Sequence, residues 1–249
     1  MKHLVYTFLL LAQVVLAQKG FETGNALYKK GQYEQAIKAY ETVIEKDKKE
    51  SADLYFNLAN CYYKLNQVAP SIYNYEKALV LHPNDTEIQN NLKFAKKKTI
   101  DEIKIVPKVG FEKWIHNFTA SFHYDTWAWL SVGFSFLFFA FFLGYYFVQT
   151  SIYKRTFFIS MCVSVLLLLI SFGTAYFEQK LFNADRPAII FAAITEIKSE
   201  PQAASPATIM LHEGTKVYVQ ESLDRWRKVQ LTDGTEGWLL ANDIKEVKP

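Results

Sequence analysis

The sequence predicts a multi-domain membrane protein that combines an all-α repeat solenoid, a transmembrane α-hairpin and a small all-β barrel. Three observations predict this fold class. Two long uncharged stretches occupy the middle of the 249-residue chain. A helical pattern that repeats about every 35 residues precedes them, and short apolar alternations broken by turn residues follow them. The hydrophobic content of 50% fits this division, since much of it falls in the central stretches.

The first predicted element is a secretory signal peptide at residues 1–17. Lys2 supplies a basic start, and an apolar run extends from Leu4 to Leu16. The residues Val15-Leu16-Ala17, which are small or tolerated at a signal-peptide cleavage site, precede a cleavage position before Gln18. We therefore expect the mature chain to begin at Gln18 and the next domain to lie outside the cytoplasm.

Residues 18–99 contain two copies of a helical repeat and a capping helix. The second copy carries the clearer pattern, at Tyr55, Leu58, Ala59, Tyr62, Ser71, Tyr75, Ala78 and Pro83. The first copy has the same steps at Gly24, Leu27, Ala36, Tyr40 and Val43. Small residues let helices approach each other, and the tyrosines fill the space between neighbouring pairs. The capping helix carries Ile88, Leu92 and Ala95 at helical spacing.

This order of residues resembles tetratricopeptide repeats, whose stacked helical hairpins form a concave groove. In peptide-clamping members, Asn side chains on the first helices hold a ligand backbone. Asn25 and Asn57 stand at the matching clamp positions, so the resemblance implies a peptide-binding groove there, with Tyr28, Asn60, Tyr63 and Lys64 nearby. Phe21, Glu87 and Asn91 stand where such members carry basic residues, so no selectivity for a terminal carboxylate is expected. The alternative is that these are solvated polar residues of a short array.

The two central stretches, Thr126 to Tyr153 and Thr156 to Phe177, contain no Asp, Glu, Lys or Arg. Each is longer than the roughly 20 apolar residues that cross about 30 Å of hydrocarbon. We place transmembrane helices at 126–149 and 156–177. The alternative, a buried helical pair of a soluble protein, normally shows a polar face, which is missing here.

Lys154 and Arg155 lie between the two predicted spans and set the topology. By the positive-inside rule this basic tip faces the cytoplasm. Both flanking segments are therefore expected to share the opposite compartment. The juxtamembrane linker, residues 100–125, mixes charges with aromatic residues, a pattern typical of an amphipathic segment at the membrane surface.

Residues 183–249 predict a small barrel, with strands at 188–197, 215–220, 226–231 and 237–240 and a polar loop at 198–207. The order LHEGTKVYV…DRWRKVQLTDGTEGWLLANDI resembles bacterial SH3 domains. Trp226 and Trp238 are candidates for an SH3-like aromatic groove that binds a peptide or a cell-wall fragment. In so small a barrel, packing of both side chains in the core is an equal alternative.

Several classes of function are excluded by what the sequence lacks. No phosphate-binding loop, zinc-protease motif, nucleophile elbow or Cys-x-x-Cys pair occurs, so we expect no enzyme, no cofactor and no metal. The net charge of +3, with both signs mixed, gives no basic stripe for nucleic acid. Cys61 and Cys162 fall in different regions, so no disulfide framework is expected.

The order of these parts resembles the BatE family of Bacteroides-type aerotolerance proteins. The segments TEIQNNLKFAKKKTIDEI and DTWAWLSV are also similar to that family. The resemblance implies a two-pass adaptor or scaffold of the bacterial inner membrane with periplasmic N- and C-terminal domains. It also implies von Willebrand A-type membrane partners and a MoxR-type ATPase, in an aerotolerance or envelope-stress complex. The alternative function is a module that senses or targets peptidoglycan.

Overall fold

The computed structural model describes residues 20–46, 48–103 and 110–248, so the predicted signal peptide lies outside the described residues. The chain forms two compact units. One contains the helices of residues 20–103 together with the strands that follow the hairpin. The other contains a short helix and the hairpin itself. The first unit therefore joins two stretches of chain that the hairpin separates in sequence.

Five helices form the helical part of the first unit: α1 at residues 20–29, α2 Tyr33–Glu45, α3 Ala52–Lys64, α4 Val68–Leu81 and α5 Thr86–Lys96. The side chains of Ser51 and Asp85 accept hydrogen bonds from backbone amides in the first turns of α3 and α5. These N-caps fix where the two helices begin, because the first amides of a helix have no partner within it.

Small residues bring the helices close together, as the repeat pattern predicts. A Cβ atom on Gly24 would lie only 2.3 Å from the ring of Tyr40. Ala36, Ala59 and Cys61 are fully buried between the helices. Burial raises the pKa of the Cys61 thiol to about 12, so Cys61 packs as a small apolar residue and is not a reactive thiol.

The second unit contains α6 Gly110–Thr119, α7 Tyr124–Phe147 and α8 Ser151–Ala184. Both α7 and α8 are long and apolar enough to cross a membrane. Only residues 148–150 connect them, so the two helices run antiparallel. Lys154 and Arg155 lie within the first turns of α8, not in the connection. Both are good helix formers, so they fit within a helix that begins at Ser151.

Seven antiparallel strands complete the first unit, in the order β3-β2-β6-β5-β4-β1-β7. They are β1 Pro187–Ile190, β2 Ile194–Lys198, β3 Ala207–His212, β4 Lys216–Leu223, β5 Trp226–Gln230, β6 Glu236–Leu240 and β7 Ile244–Glu246. The long strand predicted at 188–197 is thus two strands, and β3 was not predicted. In β3 only Leu211 is buried and Ile209 is partly buried, so few of its side chains mark it as a core strand.

The predicted fold class is confirmed: helical repeats, two long apolar helices and a small antiparallel domain. The helices and the barrel share a core, because β1 is buried on both faces. Ala188 and Ile190 point into the barrel core, whereas Ile189 joins the cluster of α4 and α5. The ring of Phe191 meets that of Tyr73 edge to face, with centroids 5.5 Å apart.

Candidate functional site

A cavity of about 380 Å³ opens beside α1, α3 and α5. Four of the six residues predicted for a peptide groove line it, namely Tyr28, Asn60, Tyr63 and Lys64. Tyr75, Glu87, Asn91 and Phe94 complete the lining. The residues come mainly from the first helix of each pair and from the capping helix, so successive helices contribute to one surface.

Two asparagines of the predicted groove, Asn25 and Asn57, form a direct hydrogen bond. The Asn57 Nδ2 donates to the Asn25 Oδ1 over 3.0 Å. The Tyr40 hydroxyl donates to the same oxygen over 2.6 Å. The carbonyl end of the Asn25 side chain is therefore occupied by the protein itself, and its orientation is fixed.

The same arrangement recurs one repeat later, at Asn60. Its Oδ1 accepts from the Tyr75 hydroxyl over 2.5 Å and from the Asn91 Nδ2 over 3.2 Å. We call this set of side chains the asparagine ladder: Asn25, Tyr40, Asn57, Asn60, Tyr75 and Asn91. Within the described part of the chain, the Asn60 Nδ2 and the Asn91 Oδ1 carry no other hydrogen bond, so a donor and an acceptor remain for a ligand.

The tyrosines of the ladder act as permanent donors. Desolvation by burial raises the pKa of both Tyr40 and Tyr75 well above the usual value of 10.0. The hydroxyls therefore stay protonated at neutral pH. Each proton points to an asparagine oxygen, which leaves the asparagine amide nitrogen as the donor on the other side.

Five further residues of this surface were not among those predicted for the groove: Tyr75, Glu87, Asn91, Phe94 and Lys98. The Lys98 ammonium lies 3.9 Å from the centroid of the Tyr63 ring. It also donates to the Asn66 Oδ1 over 3.0 Å. The repeat period carried a signal for Asn91, which follows Asn57 by about one repeat, but nothing in the sequence joined Lys98 to Tyr63.

A second cavity, of about 480 Å³, lies in the barrel beside Trp226. Ile194, Arg225, Leu240 and Asp243 also line it. Trp226 is only 6% exposed, so most of its ring is packed, although it still contributes to the lining. The guanidinium of Arg225 lies 6.0 Å from the centroid of that ring.

Trp238, the other predicted barrel residue, lies on the same face of the β5–β6 pair as Trp226. In the antiparallel register, Trp226 pairs with Leu240 and Trp238 pairs with Lys228. Side chains opposite each other share a face, so the two indoles are diagonal neighbours. Trp238 is half-buried and also pairs with Lys198, which lines the cavity.

A buried carboxylate connects the helices to the barrel. Glu76 on α4 accepts from the Lys96 ammonium of α5 and from the Lys216 ammonium of β4, both at 2.8 Å. Desolvation raises the pKa of Glu76, but the opposing effect of Lys216 and Lys96 is larger, so the pKa lies below its usual value. Glu76 therefore stays charged inside the unit.

Asp101 forms a second polar connection between the two parts. It accepts from the His212 backbone amide at 2.7 Å, from the His212 ring at 2.8 Å and from the Thr215 hydroxyl at 2.6 Å. Desolvation raises the pKa of Asp101, but its hydrogen bonds, first that from Thr215, lower it below the usual value. The chain that leaves α5 is thus fixed to the turn between β3 and β4.

Comparison with known proteins identifies these modules. Residues 24–66 match the family described as TPR repeat, and residues 52–85 match the tetratricopeptide repeat family. Residues 194–246 match the bacterial SH3 domain family. A curated relative, the Hsp70-Hsp90 organizing protein of Triticum aestivum, is 36% identical over 72 residues, which are 29% of this chain.

The match to the wheat protein covers only 12% of that protein's length. The similarity between the two proteins therefore covers only a small part of the wheat protein. Tetratricopeptide repeats typically bind other proteins and do not catalyse reactions. The chain combines tetratricopeptide repeats with a bacterial SH3 domain, and these two kinds of module indicate a role in protein–protein interaction or as a scaffold.

Proposed function

We propose that the chain is a non-enzymatic, membrane-anchored adaptor that binds protein partners through the helical groove and the barrel. The observation that carries the proposal is the asparagine ladder. Buried tyrosines hold the amides of Asn25 and Asn60 in one orientation before any ligand arrives. Fixed donors and acceptors along a groove suit the backbone of an extended peptide, because little entropy is lost when they engage it.

The remaining groove residues suggest which side chains such a peptide carries. Tyr28, Tyr63 and the half-exposed Phe94 offer apolar surface. Lys64 and Lys98 lie beside Tyr63 and add positive charge. We propose that the groove takes an extended peptide with apolar and acidic side chains, without a requirement for a free carboxyl terminus.

We place the hairpin in the bacterial inner membrane and both flanking segments in the periplasm, after removal of the signal peptide. The pairing of Glu76 with Lys216 supports this topology. These residues lie on opposite sides of the hairpin in sequence, so a chain that crossed the membrane only once would separate them. Two antiparallel crossings return the barrel to the side of the repeats.

We propose further that the adaptor belongs to an aerotolerance or envelope-stress complex with von Willebrand A-type membrane partners and a MoxR-type ATPase. The order of modules supports this proposal through the resemblance to the BatE family. The groove and the barrel cavity belong to one unit, and this supports the proposal because it suits partners that contact both.

Crosslinking in native membranes, followed by identification of the crosslinked proteins, tests the function. We expect a von Willebrand A-type protein in the wild-type sample and its loss from an Asn60→Ala/Tyr63→Ala variant. A Lys38→Ala/Thr42→Ala variant, changed at two exposed positions of α2, serves as the matched control. An unchanged set of partners in the groove variant would contradict the proposal.

The second candidate function is recognition of peptidoglycan by the barrel. The cavity beside Trp226 favours it, since an aromatic side chain with a neighbouring arginine and Asp243 suits a polar, partly apolar fragment. Retention of the full-length protein on purified peptidoglycan, together with loss of retention in Arg225→Ala, would support this function over a purely protein-binding barrel.

A further inference from the structure

We propose that the tip of the hairpin binds the phosphate group of an anionic phospholipid. A cavity of about 520 Å³ lies between the end of α7 and the first turns of α8. Its lining includes Tyr145, Gln149, Ser151, Lys154, Arg155 and Phe158. The proposal goes beyond the adaptor function and rests on the hairpin crossing a membrane.

The two cations at this cavity have no counter-charge in the hairpin. No Asp or Glu occurs between Thr126 and Phe177. The acidic residues closest in sequence, Asp125 and Glu178, lie at the far ends of α7 and α8. At 1.5 Å per helical residue they are about 30 Å or more away from the tip, which exceeds the screening length at physiological salt.

Cationic side chains beside apolar rings favour an anion from outside the protein. The Lys154 ammonium lies 5.9 Å from the centroid of the Tyr145 ring, which keeps it at the cavity. Arg155 lines the same space. A guanidinium binds phosphate oxygens through two parallel hydrogen bonds, and an ammonium adds a point charge, so the pair matches a phosphate.

The position of the cavity along the hairpin agrees with this ligand. Aromatic rings such as Tyr145 and Tyr153 prefer the headgroup region, where lipid phosphates lie. The cavity volume falls within the range of sites for small molecules. A free phosphate ion would satisfy the two cations, but only a lipid would also cover Phe158 and Ile159, which line the cavity. We therefore assign the phosphate to a phospholipid.

Lipid binding to the full-length protein in nanodiscs tests the assignment. The probe is phosphatidylglycerol titrated into phosphatidylcholine, with bound lipid counted by native mass spectrometry. We expect the wild-type protein to prefer phosphatidylglycerol. Lys154→Gln/Arg155→Gln should weaken this preference about thirtyfold, since two cations near a membrane surface together contribute about 2 kcal/mol.

Two matched variants separate a site from general charge effects. Lys29→Gln/Lys30→Gln removes two adjacent exposed cations elsewhere in the chain and should leave lipid preference unchanged. Lys154→Arg/Arg155→Lys keeps both charges at the tip and should retain most of the preference. Three outcomes would overturn the proposal: equal binding of both lipids by the wild type, wild-type preference in the Gln variant, or displacement of the lipid by an equal concentration of glycerol phosphate.

Discussion

Glu76 shows at the scale of one residue how the helices and the barrel are joined. Its carboxylate is buried between Lys96 and Lys216, and only the second belongs to the barrel. A buried charge is costly to desolvate, and its partners offset that cost. The loss of Lys216 therefore leaves the Glu76 carboxylate with Lys96 as its remaining ion-pair partner among these two, and it removes the ion pair between the helices and the barrel.

We predict that Lys216→Met lowers the free energy of unfolding by about 2 kcal/mol, because it removes one partner of a buried charge. Denaturant unfolding of the full-length protein in detergent measures this difference. Lys93→Met, a change at an exposed position of α5, should alter stability by less than about 0.5 kcal/mol. Equal effects of the two substitutions would contradict the role of Lys216.

The stability that Glu76 provides should depend on pH. Its pKa in the folded protein lies below the usual value of 4.5. The unfolded chain therefore takes up the proton first as the pH falls, and the contribution of Glu76 is complete above pH 4.5 and declines below it. We predict that the stability difference between the wild type and Glu76→Gln shrinks as the pH is lowered below 4.5. A pH-independent difference in denaturation experiments would argue against this charge state.

We predict that binding of partners depends on the Tyr75 hydroxyl. Tyr75→Phe removes the donor that orients Asn60 but keeps the buried ring. We expect several-fold weaker recovery of crosslinked partners and a loss of only about 1 kcal/mol in stability. Tyr62→Phe is the control, because the Tyr62 hydroxyl donates to Glu41, which is outside the ladder. If both variants recovered partners equally well, the ladder would have no role in binding.

At the scale of elements, the turn between β3 and β4 fits closely against α4. Gly214 lies in this turn with a φ of +86°, and a Cβ atom there would lie 3.0 Å from both Val68 and Thr99. Gly234 has a similar φ of +90° but nothing within 4 Å. An alanine at Gly234 would therefore meet only the conformational cost of a positive φ. An alanine at Gly214 would meet that cost and a close contact with neighbouring side chains as well.

We predict that Gly234→Ala costs about 1 kcal/mol of stability and that Gly214→Ala costs about 1 kcal/mol more. Combining Gly214→Ala with Val68→Ala should recover part of the additional loss, since the shorter side chain makes room. Thermal unfolding of the three variants and of the wild type measures these effects. Equal destabilisation at both glycines, without any recovery, would show that the turn does not press on α4.

Elements also show what the sequence could and could not predict. The repeat pattern predicted which side chains bring the helices together, because small residues recur one repeat apart, Gly24 with Ala59 and Ala36 with Ser71. It did not predict β3, whose side chains are mostly exposed at an edge of the sheet. It also did not predict that Asn57 bonds to Asn25, since that contact depends on how α1 and α3 stack.

At the scale of the whole molecule, the repeats and the barrel are one unit, not two separate modules. Ile189 and Val247 of the barrel complete the core of α4 and α5. The barrel therefore supports a repeat array that is short for independent stability, since such arrays normally need three or more repeats. This contact could not be predicted from the sequence, because β1 has the pattern of an ordinary strand and its burial on both faces appears only in the folded unit.

The most direct test of this account is a crosslink between Tyr73 and Phe191, whose rings meet across the helix–barrel contact. Tyr73→Cys/Phe191→Cys, in a chain with Cys61→Ala and Cys162→Ala, would be treated in intact cells with a short bis-maleimide that reaches the periplasm but not the cytoplasm. We predict an intramolecular crosslink in the double variant and none in either single variant. Cysteines that never become linked would contradict the single unit, and cysteines that react only after the inner membrane is opened would contradict its proposed periplasmic location.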